Sequence, residues 1–497
     1  MDSSQERNGE RMLMPMCARV INSDISEDFT LPDYYPEIRR VLYVREEALP
    51  PSGFMGGNKI DVNGVMDYTL IYVSGEGRIC SAPISAEYAF SVPVEGSSDF
   101  ELGDGVTMMI HTVCDNSSIR VSGPRRLSVR SRLRTSVNAW GRMVCGENFC
   151  SPEDLSSVET LMGESECAEI ICESSDIITL NTEYVLSSPD QYIAMANGRV
   201  SVGDSRVDGE IAEIGGEVVV CFTVIENGRA EKIEKRIPFE AQVELDGGIA
   251  ADEGTVRVMG AVTDLSLNVE EGKVDIAADI TLEVCYASNR AVRYVRDAYS
   301  TDKSGEAITR TYTVPLLFAN GNITAPLSAR VSAENIAAQK QAEIADIWGK
   351  AIVGGVEDSE NGYRVTGKCK YDMVWISDGE YSHSEAEVPF ECDIDIDVMP
   401  TCFDSIAEVR CDKIRRDGDS VVIDSILELS FTALGGSETE MLEEIRFTGK
   451  ADVEKDKWTV VYVSPDCSLW DIAKRYGVRE GDIKGDPATD RYVIIER

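Results

Sequence analysis

The stretch Tyr363-Arg364-Val365-Thr366-Gly367-Lys368-Cys369-Lys370-Tyr371-Asp372-Met373-Val374-Trp375-Ile376 carries two interleaved sets of side chains. Tyr363, Val365, Cys369, Tyr371, Met373 and Trp375 form the apolar set, and Arg364, Thr366, Lys368, Lys370 and Asp372 the polar one. Alternation at period two puts each set on its own face of a β-strand. The turn signal Ser377-Asp378-Gly379 follows, and a second strand ends in Val388-Pro389-Phe390. The same passage occurs twice earlier. Gly64 leads to Met66, Tyr68, Leu70 and Tyr72, a Gly75/Gly77 turn, and Tyr88. Gly216 leads to Val218, Val220, Phe222 and Val224, the turn Asn227-Gly228, and Pro238-Phe239. Gly64, Gly216 and Gly367 recur at about the length of a domain, so three related β-domains are expected.

Domain-sized repeats need composition to match, and it does. The chain has 497 residues, 43% of them hydrophobic, enough for three cores. Its formal charge is −40, from 48 basic and 88 acidic residues. Such a chain repels nucleic acid and anionic membrane surfaces, which argues against both as partners. The segment Met1–Arg11 is polar and unlike a secretory signal, and no apolar run approaches the roughly 18 residues of a membrane helix. A cytosolic location is expected. The 14 cysteines are scattered; Cys221, Cys285 and Cys369 fall at apolar strand positions, where a reduced thiol acts as a small hydrophobe. Cys145/Cys150 and Cys167/Cys172 are equally spaced pairs, wider than a zinc knuckle.

Taken in order, residues 1–15 read as a tail, and the first repeat spans 1–150. It opens with Cys17–Ile21 and the proline-restricted Phe29–Ile38, and closes with strands near Val106–Val113 and Leu127–Val137. The second repeat spans 151–300 and closes with Val256–Leu265 and Val274–Cys285; Arg290–Gly305 reads as a charged linker. The third spans 301–455. Within it Ala333–Trp348 reads as a helix, with Ile336, Ala337, Ile344 and Ile347 as the apolar side, and Gly435-Gly436 reads as the end of the domain. Short strands with turn signals predict sandwiches or barrels, which the pattern does not distinguish.

Residues 456–497 differ from the rest. Trp458–Val463 is strand-like; Leu469, Ile472, Ala473 and Tyr476 share one helical face; Ser468 with Asp471 makes a capping-box start, and Gly477 a stop. A short second helix around Gly481–Lys484 and a strand at Tyr492–Glu496 complete a β-α-α-β unit.

No catalytic constellation emerges. The two histidines, His111 in a strand and His383 in a polar turn, have no nucleophile implied by spacing. Asp393, Asp395 and Asp397 read as the solvated face of a strand opposite Cys392, Ile394, Ile396 and Val398. Gly53–Gly57 lacks the lysine and helix of a phosphate loop. Neither cofactor nor metal is expected.

The C-terminal stretch Trp458-Thr459-Val460-Val461-Tyr462-Val463 with Ser468-Leu469-Trp470-Asp471-Ile472-Ala473-Lys474-Arg475-Tyr476-Gly477-Val478 resembles a LysM domain. Asp28-Phe29-Thr30-Leu31-Pro32-Asp33-Tyr34-Tyr35-Pro36-Glu37-Ile38 is similar to the opening of the SPOCS (DUF3794-type) domain of spore-coat proteins. The resemblance implies a mainly β chain: three tandem sandwich- or barrel-like SPOCS repeats followed by a small βααβ LysM-like module at 456–497. It also implies a non-enzymatic scaffold of endospore coat assembly, on the mother-cell side of the forespore surface. The implied partner is a SpoIVA-like coat morphogenetic ATPase or another coat protein. Asp466, Trp470, Arg475 and Arg479 are the partner-binding candidates. Trp470, one residue past Leu469, is expected either to face solvent as an interface anchor or to cap the module's own core, and the arginines are basic in an acidic chain. The alternative is a module that binds peptidoglycan or N-acetylglucosamine in the cell wall or spore cortex through Ser464, Pro465, Asp466, Cys467 and Asp490. Against it, Asp466-Cys467-Ser468 replaces the family's Gly-Asp-Thr, and the loop at 485–491 is short.

Overall fold

The alternating stretch around Gly367 is the middle strand of a sheet, and the whole chain is built the same way. The computed structural model describes residues 10–94, 106–145, 149–245, 254–332, 342–359, 362–417, 420–451, 458–464 and 467–496. The first third holds β1 (Arg11–Thr30), β2 (Ile38–Ala48), β3 (Ser52–Gly56), β4 (Lys59–Ser74), β5 (Ile79–Pro93), β6 (Thr107–Val121) and β7 (Arg126–Val144). The second holds β8 (Val158–Ser174), β9 (Ile178–Val185), β10 (Tyr192–Asp208), β11 (Ile211–Glu226), β12 (Arg229–Glu244), β13 (Thr255–Glu270) and β14 (Lys273–Ser300). The third holds β15 (Lys303–Ser332), β16 (Glu343–Ser359), β17 (Gly362–Ser377), β18 (Glu380–Ile394), β19 (Cys402–Asp417) and β20 (Ser420–Lys450). A C-terminal module adds β21 (Trp458–Tyr462), α1 (Leu469–Tyr476), β22 (Ile483–Lys484) and β23 (Tyr492–Glu496).

Among the described residues every sheet is antiparallel and none closes on itself. In each third an inner sheet centres on the glycine-bearing strand: β4 between β2 and β5, β11 between β10 and β12, and β17 between β16 and β18. An outer sheet pairs the first strand of the third with its last: β1-β7-β6, β8-β14-β13 and β15-β20-β19. The apolar faces of the two sheets meet in two clusters in the first third and in one in each of the others. In the last, Tyr371, Met373 and Trp375 of β17 pack with Val409, Ile423, Leu427 and Leu429 of the outer sheet.

The recurring glycines have a steric cause. Gly64, Gly216 and Gly367 pair in register with Tyr88, Phe239 and Phe390. A Cβ there would lie 2.3, 2.7 and 2.4 Å from the respective ring. In each inner sheet the aromatic ring of the neighbouring strand lies over bare glycine backbone, which no other residue permits.

Several expectations from the sequence are overturned. Strand β1 already runs from Arg11, so residues 11–15 are not a tail. The reading of Ala333–Trp348 as a helix is wrong from Glu343 onward, where β16 begins; residues 333–341 lie outside the described residues. A bulge between Ile344 and Asp346 is the reason: Ile344 pairs with Trp375 and Ile347 with Met373, so a three-residue step on one strand matches a two-residue step on the other. That step imitates helical spacing. Arg290–Gly305 is no linker, because β14 continues to Ser300 and β15 starts at Lys303. There Val292 and Tyr294 are buried on either side of the exposed Arg293, and a second bulge at Val295/Asp297 breaks the alternation. Gly435-Gly436 lies inside β20 rather than at its end.

The thirds are joined by apolar and polar contacts that each involve all three. Inner-sheet residues Tyr43, Ile71, Ala194, Ile225, Ala345 and Ile376 share one cluster. Outer-sheet residues Met12, Met109, Cys285, Val292, Val314 and Leu434 share another. The buried Arg45 donates to Asp346 at 3.3 Å and to the Ala196 carbonyl at 3.1 Å, and lies over the Trp348 ring at 4.2 Å. The buried Asp404 carboxylate meets His111 Nε2 at 2.7 Å, Arg257 Nη1 at 2.7 Å and Asn138 Nδ2 at 3.2 Å. Burial would raise the Asp404 pKa, but His111 and Arg257 outweigh it and hold the carboxyl well below the usual aspartate range. A depressed carboxyl stabilises the fold above its ordinary pKa, and the contribution is lost as pH falls. Asp404→Ala leaves the Arg257 charge buried without its counter-ion and is expected to cost about 3–5 kcal/mol, read by urea denaturation at neutral pH. The gap between wild type and variant should narrow at acid pH.

Candidate functional site: the C-terminal module and its seat

The module begins with a strand, crosses over through a helix and returns to the same small sheet. Helix α1 starts because Ser468 accepts the Asp471 N–H while the Asp471 carboxylate accepts the Ser468 N–H, at 3.1 Å each. It stops at Gly477, which adopts the left-handed conformation at φ 59°. The expected second helix is one 3-10 turn, Glu480–Asp482. Strand β23 pairs with β21 on one side and β22 on the other. Ile472, Ala473, Val478, Ile483, Val493 and Ile495 form the core.

Trp470 does not face solvent as its sequence position suggested; it is 8% exposed. Its ring meets Tyr299 of β14 edge-on at 4.9 Å, and its Nε1–H donates to Asp297 Oδ2 at 2.9 Å. Lys474, one turn further along the helix, reaches both oxygens of Asp297 at 2.7 Å. The Tyr299 hydroxyl donates to the Val478 carbonyl at 2.7 Å, and Arg479 pairs with Glu159 of β8 at 3.1 Å. The bulge at Val295/Asp297 that hid this strand in the sequence aims Asp297 at the helix. Trp470 and Arg479 thus hold the module to its own body. Arg475 is exposed, over its neighbour Tyr476.

The other candidates are dispersed. Ser464 is exposed and its carbonyl accepts the Cys467 N–H at 3.0 Å; the Cys467 thiol is half-buried. The Asp490 carboxylate is taken up inside its own loop, accepting the Asp486 N–H at 2.9 Å. Pro465 and Asp466 lie outside the described residues.

With the helix turned inward, the far face of the small sheet looks out. Trp458, Val460 and Tyr462 alternate along β21 and are 66%, 53% and 84% exposed; Tyr492, paired with Tyr462, is 51% exposed. Tyr462 and Tyr492 contact edge-on at 6.3 Å, and Lys484 lies over the Trp458 ring at 5.5 Å. Contiguous exposed aromatic surface of this kind marks interaction sites on folded proteins. Sequence reasoning passed over these residues because alternation alone does not say which face of a two-sided strand is covered.

A cavity of about 190 Å³ lies where the thirds converge, lined among others by Glu47, Arg199, Trp348, Lys350, Glu408 and Glu428. His111, also on its wall, is committed to Asp404. His383 is on β18 rather than in a turn, bonded to Asp372 at 2.8 Å and stacked on Tyr43 at 5.0 Å. Among the described residues no cluster of histidine, cysteine or carboxylate side chains is arranged to hold a metal, and no helix is long and apolar enough to cross a membrane. The chain matches no protein-family model, no curated protein and no solved structure at a significant level.

Two outcomes follow from this geometry. Trp470→Ala should release the module from its seat, and the freed module should raise the radius of gyration in small-angle scattering. The module's own circular-dichroism and amide-exchange signals should persist, because Ile472, Val493 and Ile495 remain in place. The cavity gives the second. Glu408 lines it beside Glu47 and Glu428 while keeping an exposed surface, and its pKa is pushed up to about 7, first by desolvation and then by those two carboxylates, against Arg199. A raised carboxyl stabilises the fold below the ordinary glutamate value of 4.5 and loses that contribution as pH rises through about 7. Glu408→Gln should therefore flatten the decline in stability across that window, measured by thermal melts at a series of pH values.

Proposed function

We propose that the chain is a non-enzymatic adaptor of endospore coat assembly, similar to SipL, with three SPOCS-like β-repeats as its body and a LysM-like module as its docking head. The partner is a SpoIVA-like coat morphogenetic ATPase at the mother-cell side of the forespore surface. The observation that carries this reading is the orientation of the module. Trp470, Lys474 and Arg479 hold the helix side against β14 and β8, so Trp458, Val460, Tyr462 and Tyr492 form the outward face. A flat aromatic sheet face suits a protein surface, since large aromatic side chains dominate the energetics of protein interfaces. The recurrence of one inner and one outer sheet in each third, with β4, β11 and β17 in equivalent places, supports the tandem-repeat reading.

The residues first drawn for partner binding change role under this proposal. Trp470 and Arg479 orient the module, Arg475 stays available at the rim, and the sheet face supplies the contact. Glycan binding finds less support, because Asp490 is occupied within its loop and the outward surface offers rings on a sheet rather than a groove.

Binding of the purified full-length chain to a purified coat ATPase of this class, by calorimetry, tests the proposal. Tyr462→Ser with Trp458→Ser should weaken binding by at least about 2 kcal/mol, the range of interface hot spots, without lowering the melting temperature. Retention of the chain on peptidoglycan with no measurable affinity for the ATPase would favour the wall-binding alternative instead.

A further inference from the structure

Arg257, Cys285 and Cys172 stand in one row across three strands. Arg257 of β13 is the register partner of Cys285 on β14, and Cys285 is the register partner of Cys172 on β8. Directly opposed residues of antiparallel strands project from the same face with their Cβ atoms about 5 Å apart, within reach of the disulfide range after a small adjustment. That register brings the two thiols together, side by side on one face of the sheet. Both cysteines and Arg257 line a second cavity, of about 510 Å³, together with Gly53, His111 and Arg142. Both carry free thiols.

We propose that Cys172 and Cys285 form a redox-active cross-strand pair that a small hydroperoxide entering this cavity converts to a disulfide. Cys285 is the attacking group. Its pKa lies below that of an ordinary thiol, first because Cys172 donates to it and then because the Arg257 guanidinium faces it, against the effect of burial. The neighbouring sulfurs are poor competitors, since burial pushes Cys145 up to about 11 and Cys167 and Cys402 up to about 12. Arg257 is itself fixed by Asp404 from the last third, so the chemistry of the pair depends on how the thirds meet.

The Cys285 thiol loses its proton to solvent, and the thiolate attacks one peroxide oxygen. With hydrogen peroxide a sulfur–oxygen bond forms, the oxygen–oxygen bond breaks, and the released hydroxide takes up a proton to become water. The Cys172 sulfur then attacks the resulting sulfenic acid. A sulfur–sulfur bond forms, the sulfur–oxygen bond breaks, and the hydroxide that leaves takes the Cys172 proton as a second water. Two thiols are oxidised by two electrons and the hydroperoxide is reduced by two. The disulfide ties β8 to β14 near one end of the ladder whose other end carries Tyr299, the module's seat.

The test uses the full-length reduced chain and hydrogen peroxide as probe. Samples are quenched with an alkylating reagent in denaturant and mapped by peptide mass spectrometry. The expected first product is a linkage between the Cys172 and Cys285 peptides, formed at least about 10-fold faster than any oxidation of Cys145, Cys167 or Cys402. In Cys172→Ser the same treatment should leave a sulfenic acid at Cys285 that dimedone captures. The wild-type map stands by itself if that variant fails to fold. Oxidation of other cysteines while Cys172 and Cys285 stay fully alkylatable, or products that are chiefly intermolecular, would overturn the proposal.

Discussion

The Asp404 carboxylate takes hydrogen bonds from His111 and Asn138 of the first third and from Arg257 of the second, while it belongs itself to the last. A buried charge is tolerable only when it is paired and its lone pairs are filled. Both conditions hold here only if all three thirds are in place. Arg45 repeats the logic on the inner sheets, binding Asp346 of one third and the Ala196 carbonyl of another. The apolar clusters supply most of the attraction between thirds, but apolar contact is non-directional. The two polar links fix the register, and the cavities and the thiol row lie around them.

From that frame the position of the C-terminal module follows. Strand β14 passes from the core of the second third, through the shared outer-sheet cluster, to the surface. Near its end one bulge turns Asp297 outward, and Tyr299 lies two residues on. Helix α1 lands there because Trp470 and Lys474, four residues apart, project from one side of the helix. Among the described residues the sheet side of the module meets no such complement on the body and faces out with its aromatic residues.

How much of this the sequence disclosed differs by element. The glycine-led strands were legible, since their alternation is unbroken and the aromatic partners Tyr88, Phe239 and Phe390 stand at matching distances. The ends of the alpha helix in the module were legible because Ser468, Asp471 and Gly477 act through local backbone bonds. Bulged strands were not: at Ile344/Asp346 and Val295/Asp297 an extra residue breaks period two, and the pattern passes for helix or linker. The fate of Trp470 was hidden for another reason. Its partners Asp297 and Tyr299 are distant in sequence, and helical periodicity shows only that Trp470 lies beside the module's own core. The Cys172/Cys285 pair was obscured likewise, because local spacing drew attention to Cys167 and Cys172 while register brings Cys285 across.

The module is held helix-inward, with the aromatic face of its sheet outward. Oxidative footprinting of the full-length chain, alone and with a coat morphogenetic ATPase, addresses that directly. Trp458, Tyr462 and Tyr492 should label readily in the free chain and be protected in the complex, while Trp470 and Tyr299 stay protected in both. Ready labelling of Trp470 in the free chain, or a complex in which Trp458 and Tyr462 label as before, would contradict it.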